Sequence, residues 1–352
     1  MLWPGAVFAL CSASLFGAST PFAKLLLGTV DPWLLAALLY LGSGVGLAIT
    51  FLFRKLRDFD AASGQRLDRA GWLSLAGAIF SGGVVGPVLL MIGLNRTSAS
   101  TASLLLNLEG VMTALLAWFI FKENFDRRIA VGMVAIVGGA ATLSWQGSLS
   151  FEQIVGPLMI AGACLAWGID NNLTRKVSLS DPVHISMLKG LAAGAINLLL
   201  AALQGALTPD AVSIASAALV GFFGYGLSLV LFVLALRHLG TARTGAYYST
   251  APFVGAILSI GLLGDPITFR FLIATMLMGG GVWLHLTERH QHEHEHEPMR
   301  HTHKHRHDEH HVHEHEADDP PGEPHSHAHT HVGLRHSHHH FPDTHHRHRH
   351  GT

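Results

Sequence analysis

The sequence predicts an all-α membrane protein of ten transmembrane helices, arranged as two inverted five-helix repeats and followed by a disordered polar tail. Three observations predict it. Apolar runs of about 20 residues, the length that crosses a bilayer, recur ten times before residue 286. The second half of that region repeats the first in order and in motif. Beyond it the composition changes abruptly: 24 of the 27 histidines follow residue 286, and large apolar residues almost vanish.

The runs follow in order. The first, 5–27, could be taken for a cleaved signal peptide, but it has no basic start and a second run follows at once, so it is a retained helix. Run 32–53 is closed by Arg54, Lys55, Arg57, Arg66 and Arg69. Runs 70–93 and 98–120 are separated by a short turn at Arg96, and Lys122, Arg127 and Arg128 mark the entry to 127–146. A loop without basic residues, 147–153, leads to 154–177, which ends at Arg175 and Lys176. Runs 182–204 and 211–236 are joined by a second such loop, 205–210; Arg237 and Arg243 precede 241–263, and 267–286 completes the body. Helices that are apolar all round belong in lipid. Basic residues crowd into alternate loops, which places those loops in the cytoplasm of a bacterial-type inner membrane. An even number of helices returns both termini to that side. Cys11 and Cys164 stand alone inside apolar runs and read as small buried hydrophobes, with neither disulfide nor ligand spacing.

The repeat divides the chain into 1–146, 152–286 and a tail, 287–352. "FGASTPFAKLLLGTVDP" (Phe16–Pro32) is echoed by "WGIDNNLTRKVSLSDP" (Trp167–Pro182). "LNRTSASTASLLLNLEGVMTALLAWFIFKEN" is echoed by "LRHLGTARTGAYYSTAPFVGAILSIGLLGDP". Five helices per copy is an odd number, so the second copy enters the membrane from the opposite side, an arrangement that puts a solute site between the halves at mid-membrane.

Over residues 5–286 the chain resembles the drug/metabolite transporter superfamily, specifically proteins with two EamA domains. The resemblance rests on the small-residue helix start after Arg96, on "ALLAWFIFKEN" ending past Glu123, on "GMVAIVGGA", and on their counterparts "TAPFVGAILSIGLLGDP" and "MLMGGGVWL". It implies a membrane permease, and a substrate class as broad as amino acids, nucleotide sugars and drugs. The family's proline early in the fourth helix of each half is kept as Pro252, whereas Gly110, preceded by Glu109, stands in its place in the first half. The acidic residue that ends that helix is Glu123 in one half and Asp265 in the other.

Ionisable groups inside a bilayer are costly and mark candidate sites. Glu109, near the middle of its run with Asn107 and Thr113 beside it, would carry a proton or cation; the alternative is a carboxyl hydrogen-bonded across helices for structure alone. Asp170 lies about seven residues before the turn into the seventh run and Lys189 about seven after it. At 1.5 Å per residue both sit at about 10 Å depth, so an Asp170–Lys189 ion pair is expected, either structural or in contact with solute. Asn171 and Asn172 would bind a polar solute or join helices. Tyr247 and Tyr248 align near Ser103–Asn107 and would line the cavity or pack. Lys24 is expected to snorkel to the surface, and His184, His238 and His285 to be membrane-edge residues. Glycine pairs Gly42/Gly46, Gly82/Gly86 and Gly190/Gly194 would serve close helix packing within the chain or a homodimer. No nucleotide-binding glycine loop, nucleophile elbow or zinc-protease helix is present, so neither an enzyme nor a required cofactor is expected, and nothing points to nucleic acid.

The tail cannot bury enough surface to order itself. Its alternating histidines, His290, His292, His294, His296, His301, His303, His305, His307, His325, His327, His329 and His331 among them, suit Zn, Ni, Co or Cu through neutral imidazole. Three readings follow: export of a divalent transition metal gathered or sensed by the tail, which is favoured; export of an amino acid or other metabolite with a regulatory tail; and a membrane-anchored metal buffer that does not transport.

Overall fold

The computed structural model describes residues 4–56, 67–121, 127–145, 151–177 and 180–287, together with 291–295, 299–305, 325–331 and 335–339. The chain forms two compact units, Met1–Glu288 and Arg289–Thr352. The first is a bundle of helices: α1 Pro4–Leu26, α2 Pro32–Leu56, α3 Arg69–Ala78, α4 Gly86–Asn95, α5 Ala99–Leu105, α6 Leu108–Phe121, α7 Arg127–Ser144, α8 Phe151–Arg175, α9 Pro182–Leu203, α10 Ala211–Gly221, α11 Ser228–Tyr248, α12 Ala251–Leu263 and α13 Phe269–Leu286. A π-helical turn, Ile79–Val85, makes α3 and α4 one continuous rod, and a second, Phe222–Leu227, joins α10 to α11. Among the described residues eight helical segments are long and apolar enough to cross a membrane; Ala251–Leu263 and Phe269–His285 are shorter apolar helices.

Local sequence explains the element boundaries. The repeated "DP" starts α2 and α9 alike. Asp31 Oδ1 accepts from the amides of Trp33 and Leu34, Asp181 Oδ1 accepts from that of His184, and Pro32 and Pro182 open the helices, where a missing N–H costs nothing. Asp210 caps α10 through the amides of Val212 and Ser213. The Ser213 hydroxyl, at 2.7 Å, holds its carboxyl below the ordinary value.

Two expected runs are broken rather than straight. The run 98–120 divides between α5 and α6 at Leu106–Asn107, where the Asn107 amide side chain donates to Leu104 O at 2.9 Å and competes with the helix ladder. The run 241–263 divides between α11 and α12 at Ser249–Thr250, just before Pro252, which has no N–H to offer the preceding turn. The reversal between the eighth and ninth runs falls inside α11. A straight helix would hold Tyr225 and Tyr248 about 35 Å apart, yet both rings lie within 6 Å of Phe16, at 5.8 and 5.6 Å.

The two halves interleave into one unit. α1 packs on α11 and α12 of the second half, while α8 packs on α4 and α6 of the first; α2 against α9 is the most extensive contact. That contact closes at Gly44 and Gly190, each of which lies against the other's backbone with no room for a Cβ. The glycine pairs are all spent inside the body: Gly42 lies on Ala218, Gly46 on Phe222, Gly86 on Trp167 and Gly194 on Leu41.

Several expectations need correction. Lys24 does not snorkel; its ammonium donates to the carbonyls of Leu94 (2.6 Å) and Thr97 (2.9 Å) at the C-terminal end of α4, where the helix dipole favours a cation. Of the two cysteines Cys164 is buried but Cys11 is exposed on the outside of the bundle. In the second unit four short strands pair: β1 Gln291–Glu295 with β4 Arg335–His339, and β2 Met299–His305 with β3 His325–His331, both antiparallel. These segments depart from the expected absence of regular structure; a strand ladder satisfies backbone N–H and C=O groups without an apolar core. Glu123, His290, His296 and His307 lie outside the described residues; His292, His294, His301, His303, His305, His325, His327, His329 and His331 lie on strands of which only the backbone is described.

Candidate functional site

Aromatic–glycine pairs build the centre of the bundle. Gly17 lies against the backbone of Ala251 and Gly168 against that of Met112 and Thr113, so α1 and α8 approach their neighbours closely and turn Phe16 and Trp167 toward each other. These rings meet edge to face at 5.8 Å, and Phe16 also contacts Tyr225 and Tyr248. Tyr40 reaches Tyr225 at 5.4 Å and Phe232 reaches Tyr248 at 4.8 Å. Together they wall a cavity of ≈ 70 Å³ whose polar lining is Glu109, Asp170, Asn171, Lys189, Ser43, Ser186 and Ser228. Residues of both halves contribute.

The break before α6 places Glu109 in that helix's first turn. Its Oε1 accepts from Asn171 Nδ2 at 2.8 Å, and the same amide reaches Thr113 Oγ1 at 3.3 Å. Asp170 and Lys189 form the ion pair that helix depth implied: Lys189 Nζ donates to both carboxylate oxygens, at 2.6 and 2.8 Å, and to Thr174 Oγ1 at 3.1 Å. Thr174 in turn donates to Asp170 Oδ1 at 2.7 Å. Asp170 is thus already neutralised by a buried partner, whereas Glu109 has only neutral hydrogen-bond donors among its described partners. Among the described residues the cavity wall carries one carboxyl without a cationic partner.

The sequence candidates separate accordingly. Glu109, Asp170, Asn171, Lys189 and Tyr248 line the cavity. Asn107 is buried behind it, with its amide near Met278 Sδ as well as Leu104 O. Asn172 donates to Gly168 O at 2.8 Å and Thr113 O at 3.3 Å, joining α8 to itself and to α6. Tyr247 packs with Ala6, Ala9 and Leu239. His184 stacks on Phe51, His238 faces Phe8, and His285 meets Ile129 O, so each is a packing or hydrogen-bonding residue. Sequence reading missed Phe16, Tyr40, Trp167, Tyr225 and Phe232. The echo of Phe16–Gly17 in Trp167–Gly168 was the available signal, since only an aromatic beside a close-packing glycine recurs at that place in both halves.

The donor set bears on what the cavity can hold. Among the described residues no three His, Cys, Asp or Glu side chains come together. The lining offers no imidazole and no thiolate, the ligands that Ni, Co and Zn favour. It offers aromatic faces, amide and hydroxyl groups and a carboxyl bonded only to neutral donors among the described residues, which suit an organic cation.

Comparison with known proteins agrees with this architecture. The model of a family described as the EamA-like transporter family matches residues 3–145 and 154–287. An uncharacterized transporter of Methanothermobacter thermautotrophicus is 28% identical over 298 residues, covering 80% of this chain and 86% of the relative. A Salmonella typhimurium protein named "Probable amino-acid metabolite efflux pump" is 24% identical over 202 residues, covering 53% of this chain and 67% of its own. A solved crystal structure superposes with a TM-score of 0.61 at 18% identity over 80% of this chain and 94% of that one, and shares the fold.

Proposed function

The chain belongs to the EamA-like transporter family, and we propose that it is a secondary transporter that exports a small organic solute bearing an ammonium group in exchange for a proton held by Glu109. The observation that carries this reading is the single uncompensated carboxyl within an aromatic wall. A carboxyl in such a site holds a proton or a cation, not both, and that exclusion is what couples two fluxes. Asp170 and Lys189 cancel each other, so the wall is net −1 when Glu109 is ionised, matching a monocation. The ten-crossing, inverted-repeat architecture belongs to the same reading. It is supported by the matched "DP" caps, the two π-turns at corresponding places and the two broken helices. Basic residues in alternate loops support cytoplasmic termini.

The favoured metal cargo fares worse in the cavity, for want of imidazole or thiolate donors. We assign transition-metal binding to the tail instead, on composition alone. Flux across reconstituted vesicles separates the readings. A benzylamine gradient is expected to drive proton movement well above empty vesicles, while Ni²⁺, Co²⁺ and Zn²⁺ gradients do not; the opposite pattern would reinstate a metal cargo. Equilibrium dialysis against Zn²⁺ tests the tail: truncation after Glu288 should remove most of the bound zinc and leave benzylamine flux intact. Zinc retained in full by the truncated chain would place the metal in the body.

A further inference from the structure

Pro87 withholds its N–H from the carbonyls one turn before it in the α3–α4 rod, and side chains from three other helices bond them. In an α-helix the Gly83 carbonyl would accept from residue 87, and in a π-turn the Gly82 carbonyl would; Pro87 has no N–H for either. The neighbouring amide, Gly86 N–H, is committed to Ser81 O. Gly82 O accepts instead from Tyr40 OH at 2.7 Å and Trp167 Nε1–H at 2.9 Å, and Gly83 O accepts from Asn197 Nδ2 at 2.9 Å. Donors on α2, α8 and α9 thus converge on one turn. Asp170 wedges against the same turn: a Cβ on Gly82 would overlap its carboxylate.

The second half repeats the turn, and among the described residues no side chain of another helix donates to its carbonyls. In Phe222–Leu227, Ser228 N–H bonds Phe223 O in the same wide pattern, and Gly224 lies against Ser19. Ser19 is the residue that corresponds to Asp170 in the repeated motif, and no proline follows the turn. The two π-turns are equivalent in place and unequal in restraint.

We propose that Tyr40 and Trp167 are positioning residues that clamp the π-turn of the α3–α4 rod through Gly82 O, and that a solute entering the cavity releases the clamp. Both rings line the cavity, so an occupant that draws on their faces pulls their donors off the carbonyl. An unmet buried carbonyl then favours bending at 82–87, where Pro87 already breaks the ladder. The clamp itself follows from geometry alone; its release by an amine rests on the proposed exchange function.

Hydrogen exchange on the full chain in nanodiscs tests the two parts separately. Without solute, Tyr40→Phe and Trp167→Phe should each speed exchange of the amides of 84–90 by about tenfold, the order expected for one lost hydrogen bond. Tyr248→Phe, a cavity tyrosine that packs on Phe16 and Phe232, should not. Rates at 84–90 that match the unsubstituted protein, or a rise shared by α7, overturn the clamp, because the first denies the restraint and the second reduces it to general packing. In the unsubstituted protein, saturating benzylamine should speed the same amides. No response in a protein that still transports benzylamine overturns the release step and leaves the exchange function standing; no response and no transport removes the exchange function and leaves the clamp.

Discussion

Glu109→Gln is expected to cut benzylamine-driven proton flux at least tenfold while leaving the protein folded. Gln keeps the shape of Glu and an oxygen that accepts the Asn171 Nδ2–H now held at 2.8 Å, so the cost in stability is confined to the difference between two hydrogen bonds, about 1 kcal/mol. What the substitution removes is the ability to exchange a proton for a cation. With Asp170 paired at 2.6 Å to Lys189, no other carboxyl in the described lining stands free to replace it. Thermal unfolding of the variant reports the first half of the expectation, and vesicle flux the second. A Glu109→Gln protein that still couples amine to proton movement would shift the exchange to Asp170 and end the role assigned to Glu109.

Much of this site was legible in the sequence because depth in a membrane helix is countable. Equal distances from one turn put Asp170 and Lys189 at one level, and the fold brings their charges together. Glu109 was legible because an ionisable residue in an apolar run calls for an explanation. The helix breaks were only half legible. Pro252 announces one, whereas the other depends on Asn107 turning its amide back to Leu104 O, a choice of side-chain rotamer that a one-dimensional pattern does not carry. The π-turns were invisible for a similar reason: "SGGVVGP" reads as a glycine-rich helix with a proline, and the donors that satisfy its carbonyls, Tyr40, Trp167 and Asn197, come from other helices. The aromatic wall was missed because Phe, Tyr and Trp are ordinary residues of any membrane helix. What distinguishes these is the glycine beside two of them and the partner backbone that the glycine admits. The tail speaks to metal binding through composition alone, and the described lining of the cavity holds no imidazole that would link the two.

The Asp170–Lys189 pair yields the other large effect, and its sign depends on which partner is removed. Both side chains are nearly inaccessible, at 10% and 4% exposure, so removing either leaves a buried charge without its partner, a loss of about 3–5 kcal/mol. Lys189→Met leaves two carboxyls on the wall and takes it toward −2, which should bind an amine more tightly and release it more slowly. Asp170→Asn leaves Glu109 opposed by a free ammonium and takes the wall toward zero, which should weaken amine binding. The double variant, Asp170→Asn with Lys189→Met, restores the balance of −1 and removes both stranded charges. It should therefore recover stability to within about 1 kcal/mol of the unsubstituted protein, far short of the sum of the single losses, and recover at least half of the benzylamine flux. Unfolding and flux measured on all four proteins decide the matter. Additive losses of stability would mean that the two groups do not depend on each other. Stability regained without flux would mean that the pair touches the solute directly, and that its charges serve recognition rather than the neutrality that leaves Glu109 to act alone.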